Sequence, residues 1–138
     1  MIKSAEEFVR LRESDDMDEQ DRASREEASM EVWLDVIERY PDMREWVAHN
    51  KTIPNEILEI LSNDQDSKVR YMVSTRRSAG EKILEKLSDD TDESIRHSVA
   101  CNPKVTKKIL VKLLNDPWEN IRISAENKLR KYATSIKD

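Results

Sequence analysis

Four arginines recur at intervals of 26 residues: Arg44, Arg70, Arg96 and Arg122. A planar guanidinium repeated along one side of a molecule is the group that grips phosphate or carboxylate through paired N–H donors. Phosphate recognition is therefore the first chemistry these residues invite, but their neighbours argue against it. Asp66 lies four residues before Arg70 and Asp92 four before Arg96, a spacing that brings side chains together on one helix face. The arginines are expected to be held in structural ion pairs. Trp118 stands in place of the aspartate before Arg122, which leaves that guanidinium freer or stacked on the indole.

Other reactive side chains are sparse. His49 and His97 are not at metal-ligand spacing and fall in different columns of the repeat set out below. Cys101 is the only cysteine, so it forms neither an intramolecular disulfide nor a thiolate metal framework. It is expected to be a small packed side chain. No nucleophile–base–orienter set and no Gly-rich phosphate loop is present. The sequence predicts no enzyme, no cofactor and no metal site.

The elements that position these residues follow from composition and period. One glycine and four prolines in 138 residues supply almost none of the punctuation that β-hairpins require, so helices joined by short polar turns are expected. Written in blocks of 26 from Val47, Val73 and Val99, the columns align without a gap. Ile57, Ile83 and Ile109 coincide, as do Leu58, Leu84 and Leu110, and Leu61, Leu87 and Leu113. This Ile-Leu-x-x-Leu pattern is one stripe of a 3.6-residue period and marks the first helix of each block. Its start is expected at Thr52 with Pro54, and at Ser78 with Glu81 as a capping box, whereas Lys104 in the third block offers no cap. A second helix is expected to open at Asp90-x-x-Glu93 and Asp116-Pro117-Trp118-Glu119. It turns Val69, Met72 and Val73, then Ile95, Ser98 and Val99, then Ile121, Ser124 and Ala125 inward. Asn50 and Asn102 follow these helices and are expected to take the left-handed cap.

A single hairpin of this size cannot bury its apolar face, so the units are expected to stack in series with atypical ends. The reading is one all-α domain over 1–138 with about four helical hairpins of 26-residue period. Residues 41–135 form the repeats, with a divergent unit around Met43–Ala48. Residues 1–40 form capping helices with an acidic segment. Ser4-x-x-Glu7 opens the first of these, residues 14–18 are expected to be a mobile link, and Val32, Trp33, Val36, Ile37 and Tyr40 mark a longer helix.

Charge is unevenly distributed. Residues 13–31 hold nine acids against two arginines, a net of −7, while residues 99–138 hold nine basic groups against four acids, a net of +5. The acidic run reads as a solvated helix face, and the opposed ends make the molecule an electric dipole able to steer a partner. The chain's overall charge of −5 makes nucleic acid an unfavoured partner. No apolar run approaches the ~20 residues that span a bilayer, and the N-terminus lacks the apolar core of a secretory signal. A cytoplasmic protein without membrane contact is expected, as a monomer or weak homo-oligomer.

On the second helices, Glu45, Tyr71, His97 and Ile123 share the column between the inward stripe and solvent. With Tyr71 and Ile123 as apolar anchors, this column is a candidate binding surface for another protein. Trp118 stands beside it. Arg76 and Arg77 depart from the Asn50-Lys51 and Asn102-Pro103 of the neighbouring blocks and join the candidates.

The phrase Val47-Ala48-His49-Asn50, Pro54, Glu56-Ile57-Leu58, Leu61, Asp64, Asp66, Val69-Arg70, Val73 resembles the leucine-rich repeat variant and, more broadly, HEAT-like helical repeats. The resemblance covers about residues 41–130. It implies a curved right-handed α-α superhelix with the second helices on its concave face, repeated arginines as ties between units, and a binding scaffold. Some leucine-rich-repeat-variant proteins carry an iron–sulphur cluster at a Cys-rich N-terminus, a feature this sequence lacks. Small repeat proteins of this kind also occur as immunity proteins beside bacterial toxin genes, so a bacterial immunity or regulatory role is the sharper expectation. The alternative is a nucleic-acid-binding HEAT-like module that uses the basic C-terminal end.

Overall fold

The computed structural model describes residues 1–137, and among them ten α-helices follow one another with no β-strand. They are α1 (Ala5–Glu13), α2 (Met17–Arg25), α3 (Met30–Arg39), α4 (Arg44–His49), α5 (Asn55–Leu61), α6 (Ser67–Thr75), α7 (Gly80–Leu87), α8 (Glu93–Cys101), α9 (Lys107–Leu113) and α10 (Glu119–Lys137). A 3-10 turn over Pro41–Met43 leads into α4.

The helices pack as consecutive pairs. α6 lies between α4 and α8, α8 lies between α6 and α10, and α5 lies between α3 and α7. Most of these helices are shorter than the ~12–15 residues an isolated helix needs in water, so burial of their apolar faces must hold them. The columns read from sequence do this. Ile57, Ile83 and Ile109, Leu58, Leu84 and Leu110, and Leu61, Leu87 and Leu113 are all buried in one core with Val69, Val73, Ile95, Val99, Ile121 and Ala125. A further apolar column, Ile53, Ala79 and Val105, fills the turns between pairs.

At the N-terminal end Phe8 meets Trp33 edge-on at 5.2 Å, and both are buried. The acidic segment supplies α2, which buries Ala23 and begins at Met17, inside the expected link. Ile2 forms a single parallel bridge to Ala28.

Several local expectations are corrected. Ser78 does not cap α7, because Gly80 takes φ +82° and starts the helix two residues later. α5 starts at Asn55, with Pro54 rather than Thr52 at the cap. In the third block Thr106 does cap, its hydroxyl accepting from the Ile109 amide at 3.3 Å. The second helices are capped by Asp66 and Asp92, two residues after Asp64 and Asp90. Among the described residues no non-glycine residue has positive φ, and Asn50 and Asn102 have extended backbones (ψ 130°).

Candidate interaction surface

Two polar ladders fix the second helices against one another, and they determine which residues remain for a partner. The first runs along their N-terminal ends. Arg70 Nε donates to Asp90 at 2.9 Å, Arg96 Nε to Asp116 at 2.8 Å, and Arg44 Nη1 to Asp64 at 3.3 Å. Each arginine therefore reaches 20 residues forward to the next unit. It does not pair with the aspartate four residues behind, since Asp66 and Asp92 are occupied in capping the helix amides of Lys68 and Ser94. Arg70 and Arg96 are raised above the usual arginine range, chiefly by their hydrogen bonds to Asp90 and Asp116. Burial pushes the Asp116 carboxyl upward, but Arg96 and the Trp118 amide together outweigh it and hold the group below the usual carboxylate range.

The second ladder crosses the C-terminal ends, where orphan helix carbonyls need donors. Asn50 Nδ2 donates to Ala23 O at 2.8 Å and Glu26 O at 3.0 Å, Arg76 Nη1 to His49 O at 3.2 Å, Asn102 Nδ2 to Ser74 O at 2.8 Å, and Lys128 Nζ to Cys101 O at 3.3 Å. These four donors occupy one column of the 26-residue period. Arg76 is thus a substitute rung rather than a free loop cation. Its Nε is buried with no hydrogen-bond partner, and burial pushes its guanidinium below the usual range. Arg77 is exposed.

With the ladders in place, Glu45, Tyr71, His97 and Ile123 lie on α4, α6, α8 and α10, and Trp118 immediately precedes α10. Tyr71 is 44% exposed, Trp118 50% and Ile123 46%, while Glu45 and His97 are half-buried. Tyr71, Thr75, Ser98 and Cys101 line one open groove, and Glu93, Trp118, Asn120 and Ile121 line a second; Ser94 and His97 line both. His97 joins the two. Its Nε2 lies 2.9 Å from Ser124 Oγ on α10 and 3.9 Å from the Cys101 thiol. The Ser74 hydroxyl on α6 donates to Ser98 Oγ on α8 at 2.7 Å.

Cys101 is exposed rather than packed. A thiol near an imidazole is the pairing that nucleophilic catalysis uses. Here the approach is loose and the same nitrogen serves a serine hydroxyl at much shorter range.

Trp118 makes no cation–π contact among the described residues. The indole that does is Trp46, over which Arg12 stacks 3.4 Å from the ring centroid. Beside it, His49 packs edge-on to Trp46 at 5.8 Å. Burial, then Arg76, Arg12 and Lys51, lower the His49 pKa below 6.5. Sequence reasoning missed this cluster, because Arg12 lies outside the repeat columns. No group of three His, Cys, Asp or Glu side chains among the described residues is placed to hold a metal ion. No described helix is long and apolar enough to cross a membrane.

No family model, no curated protein and no solved structure matches the chain.

Proposed function

We propose that the chain is a non-catalytic protein-interaction scaffold. On this reading the helix pairs form a right-handed α-α superhelix of HEAT-like or leucine-rich-repeat-variant type, and the outward side of the second helices receives the partner. The observation that carries it is the pairing of half-exposed Tyr71 on α6 with half-exposed Trp118 and Ile123 at α10, with His97 of the intervening α8 shared between two grooves. Large aromatic anchors beside small hydroxyl groups are the composition of binding centres, and nothing in the fold requires these side chains to face water. An immunity or regulatory role toward a partner protein in a bacterial cytoplasm is the sharper form of the reading, in keeping with the chain's size and acidity.

The alternative, nucleic-acid binding by the basic end, is weakened by two rungs on the first helices. Lys112 pairs with Asp89 at 2.9 Å and Lys108 with Glu85 at 3.5 Å, so two of its lysines are already partnered. A gel shift at low salt, where counterion release favours binding most, is expected to show none.

The scaffold is tested by affinity capture from the native lysate with the wild-type chain and with Tyr71→Ala/His97→Ala, after circular dichroism shows both folded. A specific partner recovered by the wild type is expected to be lost with the double variant. Equal recovery by both removes this surface from consideration.

A further inference from the structure

The arginine ladder ends with one fork unfilled. In Arg70 and Arg96 the guanidinium works in two halves. Nη1 points back to carbonyls of its own unit: Arg70 to Asp64 O at 2.8 Å and Gln65 O at 3.0 Å, Arg96 to Asp90 O at 2.8 Å. Those bonds lock the side chain so that Nε and Nη2 face forward as a fork, which closes on Asp90 at 2.9 and 3.3 Å and on Asp116 at 2.8 and 3.4 Å. Arg122 keeps the first half unchanged, with Nη1 donating to Asp116 O at 2.7 Å and Pro117 O at 3.0 Å. Its Nε and Nη2 meet no carboxylate among the described residues.

The fold explains the gap. The aspartate of each rung follows the first helix of the next pair, and that helix begins only after the preceding second helix stops at Asn50, Arg76 or Asn102. α10 instead runs straight through the equivalent Lys128 to Lys137, so among the described residues no following pair is laid over Arg122. The guanidinium itself sets the sign of an occupant, and residues 99–138 as a whole carry a net of +5, nine basic groups against four acids.

We propose that Arg122 binds the side-chain carboxylate of an aspartate or glutamate presented by an acidic loop of a partner protein, which completes the missing rung. The inference rests on the scaffold reading and gives its partner a chemistry. A second copy stacked head to tail is a poor occupant. At its N-terminal end the matching position is Ser14, whose hydroxyl accepts from the Asp16 amide at 3.0 Å as Asp64 accepts from the Asp66 amide at 2.9 Å. Ser14 therefore fills the loop's local role but brings no charge.

The test is a titration of isotope-labelled full-length protein with a C-terminally amidated peptide copying residues 83–93, ILEKLSDDTDE, which carries the Asp90 acceptor. The Arg122 Nε–Hε resonance is expected to move and saturate. Affinity should fall about tenfold with the D90N peptide, and by a similar factor with Arg122→Lys, which keeps the charge but loses the fork. An unmoved Arg122, equal binding of the D90N peptide, or movement confined to the lysines of α9 overturns the proposal. A partner captured as above serves as the second arm. Retained capture by Arg122→Lys, with loss in Tyr71→Ala/His97→Ala, sinks the Arg122 site and leaves the scaffold reading standing.

Discussion

Burial and the charges of Arg76, Arg12 and Lys51 all disfavour a proton on His49, with only Glu45 opposing them. A histidine whose folded pKa lies below its unfolded value binds fewer protons in the native state, so stability rises with pH across the interval between the two. The His49 contribution is therefore complete above about pH 6.5 and is lost as acid carries the solution below it. Replacing Arg76 by alanine removes the second-ranked of those causes. An NMR titration of His49 is expected to show its pKa rise in Arg76→Ala, toward the ordinary histidine range. An unchanged midpoint would mean that burial, with Arg12 and Lys51, sets it without Arg76. Arg76 also donates to His49 O, so a modest loss of stability, about 1 kcal/mol for one hydrogen bond, should accompany the shift. None of this was legible in the sequence. Arg76 and Arg77 stood out only as a departure from their columns, and Arg12 and Trp46 are 34 positions apart.

At the scale of helices and their connections, the two ladders divide the work. Rungs differ in exposure, and that difference orders their cost. In the Arg96–Asp116 rung the side chains are 13% and 4% exposed, whereas Arg44 in the first rung is 30% exposed and its contact is longer. Removing one member of a buried pair leaves the other charge uncompensated, at about 3 kcal/mol, while an exposed pair is worth about 1 kcal/mol or less. Urea unfolding is thus expected to rank Arg96→Ala well below Arg44→Ala in stability. Acid supplies a second signature. With Arg96 in place Asp116 is held below the usual carboxylate range, so its contribution is present above about pH 4 and lost on further acidification. Without Arg96 only the Trp118 amide and Arg122 oppose burial, the Asp116 pKa rises, and the deficit of the variant narrows as the carboxyl takes up a proton. A deficit independent of pH would show that Arg96 acts through packing alone.

The sequence showed the members of this ladder but paired them wrongly. The rule that helix side chains four apart interact is local, and it drew Asp66 and Asp92 toward Arg70 and Arg96. The recurrent offset of 20 residues, Arg44 to Asp64, Arg70 to Asp90 and Arg96 to Asp116, was the signal available. Capping failed for a related reason. Asp64 and Asp90 accept from guanidinium groups and from the amides of Asp66 and Asp92, so the cap passes to the aspartate two residues on. The leucine columns were readable because burial repeats with the period, whereas these polar contacts are made to the next unit, beyond the reach of spacing along one helix.

The whole molecule is a series of short pairs whose principal contacts are with their neighbours, and for such an arrangement the place of a lesion matters as much as its size. Stability is then approximately a sum of units and interfaces. A defect at the centre uncouples two halves that each retain part of the core. Leu84 on α7 is buried at that centre, and its truncation to alanine should cost about 2–5 kcal/mol. Two of the three tryptophans make the consequence visible. Trp33 is buried in the N-terminal half, so its fluorescence follows unfolding there, whereas Trp118 is half exposed already and changes little. Trp46 sits beneath Arg12 in the same half as Trp33. Fluorescence therefore reports the N-terminal pairs, while circular dichroism reports helices throughout. In the wild type the two transitions are expected to coincide, because no described helix but α10 is long enough to be helical alone. In Leu84→Ala they should separate, the dichroism falling first as α8, α9 and α10 loosen while Trp33 remains sheltered against Phe8. Coincident transitions in the variant would show that the two ends share one indivisible core and that the additive picture of stacked pairs does not apply.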